Sequence, residues 1–142
     1  MKKFNTIIIF LMMIPFIAMA DSGRRIPFEK IPPKAKTFIN TYFGQNKILQ
    51  VTAEWNEYEV LFTDMSNVEF DKLGTWKQIN CKNGGIIPKD IIPIDILSYV
   101  KETFPNQIIV NIERTRWGYE VEIHNGIELE FDKKCKFIRI DN

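Results

Sequence analysis

Side chains that could act as a nucleophile or a general base are scarce in this chain. Its 142 residues include one histidine, His124, and two cysteines, Cys81 and Cys135. A hydrolytic triad needs a base beside its nucleophile, but His124 directly precedes an Asn-Gly pair, which is typical of an exposed hairpin turn. Two cysteines and one histidine are too few for a closed zinc site. We therefore expect no catalytic residues, no metal centre and no cofactor.

Carboxylates are the remaining groups that could do acid–base chemistry. Glycosidases use two of them, and one needs a pocket that raises its pKa. Here the acidic residues alternate with apolar ones along short segments and have many like-charged neighbours, as in Glu128 to Asp132. This pattern favours a solvated or partner-facing surface over an active site. Loose binding of a cation by the same carboxylates is the alternative.

The first twenty residues have the layout of a secretory signal. Two lysines precede an apolar run over residues 7–20, and the small residues Ala18 and Ala20 stand just before Asp21. We expect cleavage between Ala20 and Asp21. The run is too short for a spanning helix, so no membrane anchor is expected after cleavage. Export to the periplasm is the prediction, and an extracellular location is the alternative.

Charge and cysteine content bound the partners and the redox chemistry. The formal net charge is +1, which offers no field to attract nucleic acid. In an exported protein, Cys81 and Cys135 meet conditions in which a disulfide between them could form. Two separate thiols are the alternative.

A shift of 61 residues aligns one half of the chain with the other. Residues 31–80 and 92–141 then match without a gap, with twelve identical pairs among fifty. The chain is therefore interpreted as a lead-in at 21–30 and two copies of one unit, at 31–81 and 92–142. A linker over 82–91 joins them.

Each copy reads as one helix followed by four short strands. Apolar residues at helical spacing follow an Ile-Pro pair, with Asp95 as a candidate cap of the second helix. Runs near 48–54, 57–63, 67–71 and 75–80 have strand character, as do those near 109–115, 119–124, 127–132 and 136–141. The predicted fold is α+β, with two tandem αββββ repeats in an antiparallel sheet, helices on one face and the opposite face open.

Alternation assigns acidic side chains and a few aromatic ones to the open face. Trp76 and Phe137 have the phase of this face at equivalent positions of the two copies, and Trp55 and Trp117 lie near the first hairpin of each copy. The candidate residues for binding a partner are Trp76, Phe137, Trp55, Trp117, Glu59, Glu120, Glu69, Glu130 and Arg139.

Short motifs recur in both copies. The first holds Tyr58-Glu59-Val60 and Glu69-Phe70-Asp71-Lys72, followed by Gly74, Trp76 and Ile79, and the second holds Tyr119-Glu120-Val121 and Glu130-Phe131-Asp132. Over residues 30–142 this arrangement resembles the β-lactamase-inhibitor-like, PepSY-like family of small exported proteins found in Bacteroides-type bacteria. The second copy departs from the pattern, with Cys135 at the turn glycine and Phe137 at the tryptophan.

The resemblance implies tandem αββββ units whose open sheet face grips a partner protein, and it implies no established activity. Fold likeness does not determine function. The functional expectation is a non-enzymatic periplasmic module that binds an envelope protein or peptide, or inhibits it. The alternative is a small-ligand or cation-sensing protein that uses the acidic face.

Overall fold

Nine antiparallel strands form one open sheet in which sequence neighbours are also spatial neighbours. The computed structural model describes residues 23–141, and the strand order is β1 to β9 without a crossover. The predicted α+β fold is confirmed. The predicted signal segment, with its cleavage site between Ala20 and Asp21, lies outside the described residues.

Apart from the short β1, the two halves of the chain repeat the same elements. The first half contains β1 (Arg24–Arg25), a 3-10 turn (Phe28–Lys30), α1 (Pro33–Tyr42), β2 (Ile48–Glu54), β3 (Glu57–Phe62), β4 (Asn67–Asp71) and β5 (Trp76–Asn80). The second contains a 3-10 turn (Lys89–Ile91), α2 (Ile94–Thr103), β6 (Ile109–Arg114), β7 (Gly118–Ile123), β8 (Glu128–Asp132) and β9 (Phe137–Asp141). Within residues 23–141, no helix has the length and apolar character needed to cross a membrane.

Proline, rather than a capping side chain, begins each helix. The N-cap residues are Pro32 and Pro93, and neither helix has a side-chain cap hydrogen bond. The fixed φ of proline already suits the start of a helix, so no cap is required to set the direction of the chain. Asp95 lies inside the first turn of α2, where its negative charge interacts favourably with the positive end of the helix dipole. The prediction that Asp95 caps α2 is therefore wrong.

Both helices pack on the same face of the sheet through equivalent aromatic pairs. Phe38 of α1 meets Phe70 edge-on with ring centroids 5.6 Å apart, and Tyr99 of α2 meets Phe131 in the same way at 5.5 Å. Such edge-to-face pairs suit the charge distribution of the rings. A core of buried side chains, most of them aliphatic, surrounds these rings. Because both helices cover the same face, the other face of the sheet is left in solvent.

A β-bulge moves Trp76 to the helix side of the sheet. Glu69 lies opposite Gln78, yet the next residue of β4, Phe70, lies opposite Trp76. The extra residue in β5 reverses the alternation, because the side-chain period of a strand is two. Trp76 is only 6% exposed and lies beneath the guanidinium group of Arg114, 4.1 Å from the ring centroid. The prediction that Trp76 lies on the open face is wrong.

Phe137 is displaced in the same way. Glu130 lies opposite Arg139, whereas Phe131 lies opposite Phe137, so β9 has the equivalent bulge. Phe137 stacks on Tyr99 at 4.6 Å and stays 36% exposed. Its prediction as an open-face anchor is also wrong.

The aspartate of each Glu-Phe-Asp motif organises the turn that follows it. Asp71 Oδ1 accepts hydrogen bonds from the amides of Leu73 at 2.8 Å and Thr75 at 3.0 Å. Asp132 Oδ1 accepts two from the equivalent turn, each at 2.9 Å. These side-chain bonds add to the backbone bonds of the same tight loops, in which the amides of Asp71 and Asp132 donate to carbonyls across the turn. The motif is thus structural at its third position.

The cysteines are free thiols that lie several strands apart in the sheet. Cys81 follows β5 and is buried, whereas Cys135 lies in the turn between β8 and β9. The prediction that a disulfide could join them is therefore wrong, because a bridge needs closely adjacent Cα atoms. The two separate thiols are what the structure shows. Burial raises the pKa of the Cys81 thiol to about 11, and the negative charge of Asp64 adds to this effect.

Substitution of Trp76 tests this corrected placement. We expect Trp76→Ala to lower the free energy of unfolding by about 3–5 kcal/mol, because it opens a cavity in the core. Phe137→Ala, which removes a partly exposed ring from the equivalent position, should cost less. Urea denaturation of both variants measures the difference. Unchanged stability of Trp76→Ala would return Trp76 to the surface.

Candidate functional site

The sheet face away from the helices, called the open face below, carries most of the acidic side chains of the strands. Pairing between neighbouring strands brings these acidic side chains together, as with Glu59 opposite Glu69 and Glu120 opposite Glu130. The alternation predicts this placement correctly wherever no bulge intervenes. The open face contains Glu57, Glu59, Glu69, Gln78, Glu113, Glu120, Glu122, Glu128, Glu130, Arg139 and Asp141.

Partial burial next to like charges makes ionisation of some of these carboxylates unfavourable. The pKa of Glu69 lies above its ordinary value because burial removes water from the carboxylate, and Glu57 and Glu113 add repulsion. The pKa of Glu120 is raised by burial and by its hydrogen bond and charge interaction with Glu128. The open face therefore carries negative charge that the fold does not fully compensate.

Three ion pairs neutralise part of this charge. Lys77 pairs with Glu57 and Lys82 with Glu122. Arg139 pairs with Glu130, with a nitrogen–oxygen distance of 2.9 Å. The Arg139 side chain is 65% exposed, so its guanidinium group keeps donors directed to solvent. Arg139 is the one predicted basic site residue, and the structure places it on the open face beside Glu130.

Each repeat has a hollow over its glutamate pair. In the first repeat the hollow has a volume of about 80 Å³ and lies over Glu59 and Glu69. In the second repeat it measures about 170 Å³ and lies over Glu120 and Glu130, with Trp117, Ile138 and Arg139 in its wall. An apolar wall, an acidic floor and a guanidinium group make this second hollow the better binding site.

The two exposed tryptophans are at hairpin tips rather than on the strands. Trp55 is 99% exposed in the turn between β2 and β3, and Trp117 is 72% exposed between β6 and β7. Both turns are at the same end of the sheet, four strands apart, which corresponds to about 20 Å. The guanidinium group of Arg116 lies 5.1 Å from the Trp117 ring centroid. Exposed aromatic rings beside charge are typical of binding surfaces.

Backbone geometry distinguishes Trp55 further. Its φ angle of 45° is in the left-handed region, which large side chains rarely adopt. A ring that is almost wholly exposed gains little from packing in exchange for this conformation. The sequence already makes Trp55 a candidate binding residue near the first hairpin, and the structure adds its left-handed backbone and its nearly complete exposure.

Three carboxylates of the open face come together where β7, β8 and β9 meet. One oxygen each from Glu120, Glu128 and Asp141 lie within 4.8 Å of one another, the only such acidic group among residues 23–141. Calcium prefers carboxylate oxygens but takes six to eight ligands, so this trio would supply part of a coordination shell. Sequence reasoning included Glu120 but not Asp141, since only the pairing of β9 with β8 brings Asp141 to this place.

Comparison with known proteins identifies the group to which this arrangement belongs. A family model described as "Putative beta-lactamase-inhibitor-like, PepSY-like" matches residues 19–60 and 56–139. The chain belongs to this PepSY-like family. The predicted resemblance is confirmed, and together the two matched segments cover residues 19–139.

Solved structures of PepSY-like relatives share the fold. A "putative calcium-regulated periplasmic protein" from Bacteroides thetaiotaomicron is 38% identical, with a TM-score of 0.82, over 87% of this chain and 99% of that one. A putative periplasmic protein from Bacteroides vulgatus is 37% identical, with a TM-score of 0.80 and the same coverage. Another from that species, described as of unknown function, is 32% identical over 82% of this chain and 95% of its own, with a TM-score of 0.76. No protein with a curated description matches the chain.

The raised pKa of Glu69 predicts how stability depends on pH. Because the folded state holds this proton more tightly than the unfolded chain, ionised Glu69 lowers stability above its ordinary pKa of 4.5. We expect Glu69→Gln to raise the thermal midpoint near neutral pH, with the gain vanishing below about pH 4.5. Thermal melts across this range measure it.

The matched control is Glu102→Gln, which removes an exposed carboxylate from α2 on the other side of the sheet. An equal gain in both variants would show that the effect reflects net charge alone and does not arise from the open face.

Proposed function

We propose that this PepSY-like chain is a non-enzymatic periplasmic protein whose open face binds a basic segment of a partner protein. The observation that carries the proposal is the combination of incompletely compensated carboxylates with Trp55 and Trp117 at one end of the face. The periplasmic location rests on the relatives described as periplasmic and on the predicted signal segment.

Electrostatics favours a basic partner. Lysine or arginine side chains above Glu59, Glu69, Glu120 and Glu130 would relieve the repulsion within the open face. Such complementarity mainly speeds association and selects the partner. Trp55 and Trp117 would supply apolar contact area, which tends to dominate binding energy. Trp76 and Phe137 are no longer anchors in this proposal, since they pack on the helix side.

The geometry supports binding rather than catalysis. The carboxylates lie in shallow hollows over a sheet surface. The sole histidine, His124, is exposed beside the Asn-Gly turn. The family description as inhibitor-like agrees with a binding role, and inhibition of an enzyme by occupation of its site is one form of it.

Capture from an envelope extract tests this function. We expect Trp55→Ala and Trp117→Ala each to reduce recovery of the partner at least roughly tenfold, as for typical interface anchors. Added salt should weaken capture further. Quantitative mass spectrometry of the captured proteins gives the readout.

Ile94→Ala is the control, because Ile94 is also well exposed, at 71%, yet lies in α2 on the other side of the sheet. If both tryptophan variants capture as much as the unchanged chain, the open face is not the binding surface.

A specific pair of observations favours cation binding as a second function. The Glu120, Glu128 and Asp141 trio brings three carboxylates together, and one relative is described as calcium-regulated. Bound calcium would neutralise the repulsion between Glu120 and Glu128 and so stabilise the sheet edge.

Calcium titration with a thermal melt tests this second function. We expect about millimolar calcium to raise the thermal midpoint. Glu128→Gln should abolish the rise, and Glu69→Gln, on the same face in the other repeat, should leave it intact. An unchanged midpoint in calcium would exclude the site.

A further inference from the structure

The outer edge of β9 is open and unusually apolar. β9 ends the sheet and pairs only with β8 among the described residues. Its three apolar residues, Phe137, Ile138 and Ile140, are 36%, 50% and 45% exposed. Natural proteins generally protect sheet edges, since unpaired backbone groups there can accept another strand.

The first repeat shows how this type of edge is covered. β5 is the equivalent of β9, and its outer edge pairs with β6, where Ile79 lies opposite Ile112. The amide of Cys81 extends this pairing with a 2.7 Å hydrogen bond to the carbonyl of Val110. Ile79 is consequently fully buried, whereas Ile140 at the equivalent position is 45% exposed. The fold therefore covers such an edge with a strand of another unit of the same kind.

The other edge of the sheet is short and charged. β1 lies along β2, with Arg24 opposite Ala53 and Arg25 opposite Thr52. The amide of Ile26 continues this pairing to the carbonyl of Val51 at 3.0 Å. β1 has only two residues, both exposed arginines, and so short and charged a strand protects an edge from pairing. A second copy of the chain consequently offers β9 as its longer, apolar edge. Pairing of β9 with β9 is a two-fold arrangement that leaves only the two short β1 edges uncovered.

We propose that two copies of this chain form a dimer by antiparallel pairing of their β9 strands. Residues that pair across two strands lie on the same face of the sheet, so each β9 residue must pair with itself or with a residue an even number of positions away. The two-fold axis must therefore pass between the two copies of one β9 residue. An axis at Ile140 places Ile140 against Ile140 of the second copy on the helix side. It also places Arg139 opposite the second copy's Asp141 on the open face, on both sides of the axis.

Charge selects this register over its neighbours. An axis at Arg139 would set two guanidinium groups against each other, which is unfavourable for directly opposed residues. An axis at Ile138 would fall in the β-bulge. With the axis at Ile140, exposed Arg139 can bind its own Glu130 and the second copy's Asp141 together.

The dimer joins two nine-stranded sheets into one and sets both open faces on the same side. The pairing is about as long as the β5–β6 junction, which has three register pairs. An interface of this length is smaller than standard stable ones, so we expect a dissociation constant in roughly the micromolar range or weaker. Association should therefore depend on concentration.

Sedimentation velocity of the chain without residues 1–20 tests the dimer over a roughly hundredfold range of concentration. We expect the unchanged protein to shift from monomer to dimer, and Ile140→Lys to stay monomeric because two ammonium groups would meet at the axis. Ile86→Lys is the control, since Ile86 is 78% exposed in the linker, away from β9. Circular dichroism melts show that each variant is folded.

Covalent trapping tests the register independently. In a Cys135→Ser background, Ile140→Cys should form an interchain disulfide on mild oxidation much faster than Ile86→Cys, as seen on a non-reducing gel. Monomers at every concentration would overturn the proposal. So would a dimer that Ile140→Lys leaves intact, or equal trapping of the two cysteine variants.

Discussion

Coverage of the sheet on one side only is the constraint on which the rest of this structure depends. Two helices of ten residues each lie on the same face, where Phe38 meets Phe70 and Tyr99 meets Phe131. The opposite face must be compatible with water, and here it is built mainly from glutamates. Because register places glutamates opposite glutamates, the soluble face is also a repulsive one. The same requirement that keeps this face in solution thus creates an electrostatic reason for a basic partner or a cation to bind there.

Duplication explains much of what the two halves share, and their differences locate the functional candidates. Both halves use a proline-initiated helix, an Asp-organised turn and a bulged last strand. The first repeat buries its last strand against the second repeat, whereas no other strand of residues 23–141 covers the outer edge of β9. The second repeat also has the larger hollow, the acidic trio and the Arg139 ion pair. A repeated unit therefore becomes asymmetric simply because one copy ends the sheet.

The bulges separate the part of the candidate site that the sequence predicts from the part that it does not. Period-two alternation places Glu59, Glu69, Glu120 and Glu130 on the open face correctly. It fails at Trp76 and Phe137, because one extra residue in a strand reverses every side chain beyond it. No residue pattern near Lys77 or Ile138 signals that insertion, and only the pairing with β4 or β8 reveals it. The aromatic residues left in solvent are Trp55 and Trp117, whose exposure depends on turn geometry.

The sequence by itself determined the duplication, the helix and strand segments, the acidic face and the family, since each depends on local periodicity or on motifs within one copy. The tertiary structure decided which tryptophans are buried, that the cysteines lie far apart, and that Asp141 joins Glu120 and Glu128. It also decided that β9 is an apolar edge, while the short and charged β1 forms the other edge. These properties depend on the register and the bulges with which neighbouring strands pair, and the spacing of residues within one strand does not specify how that strand pairs with the next.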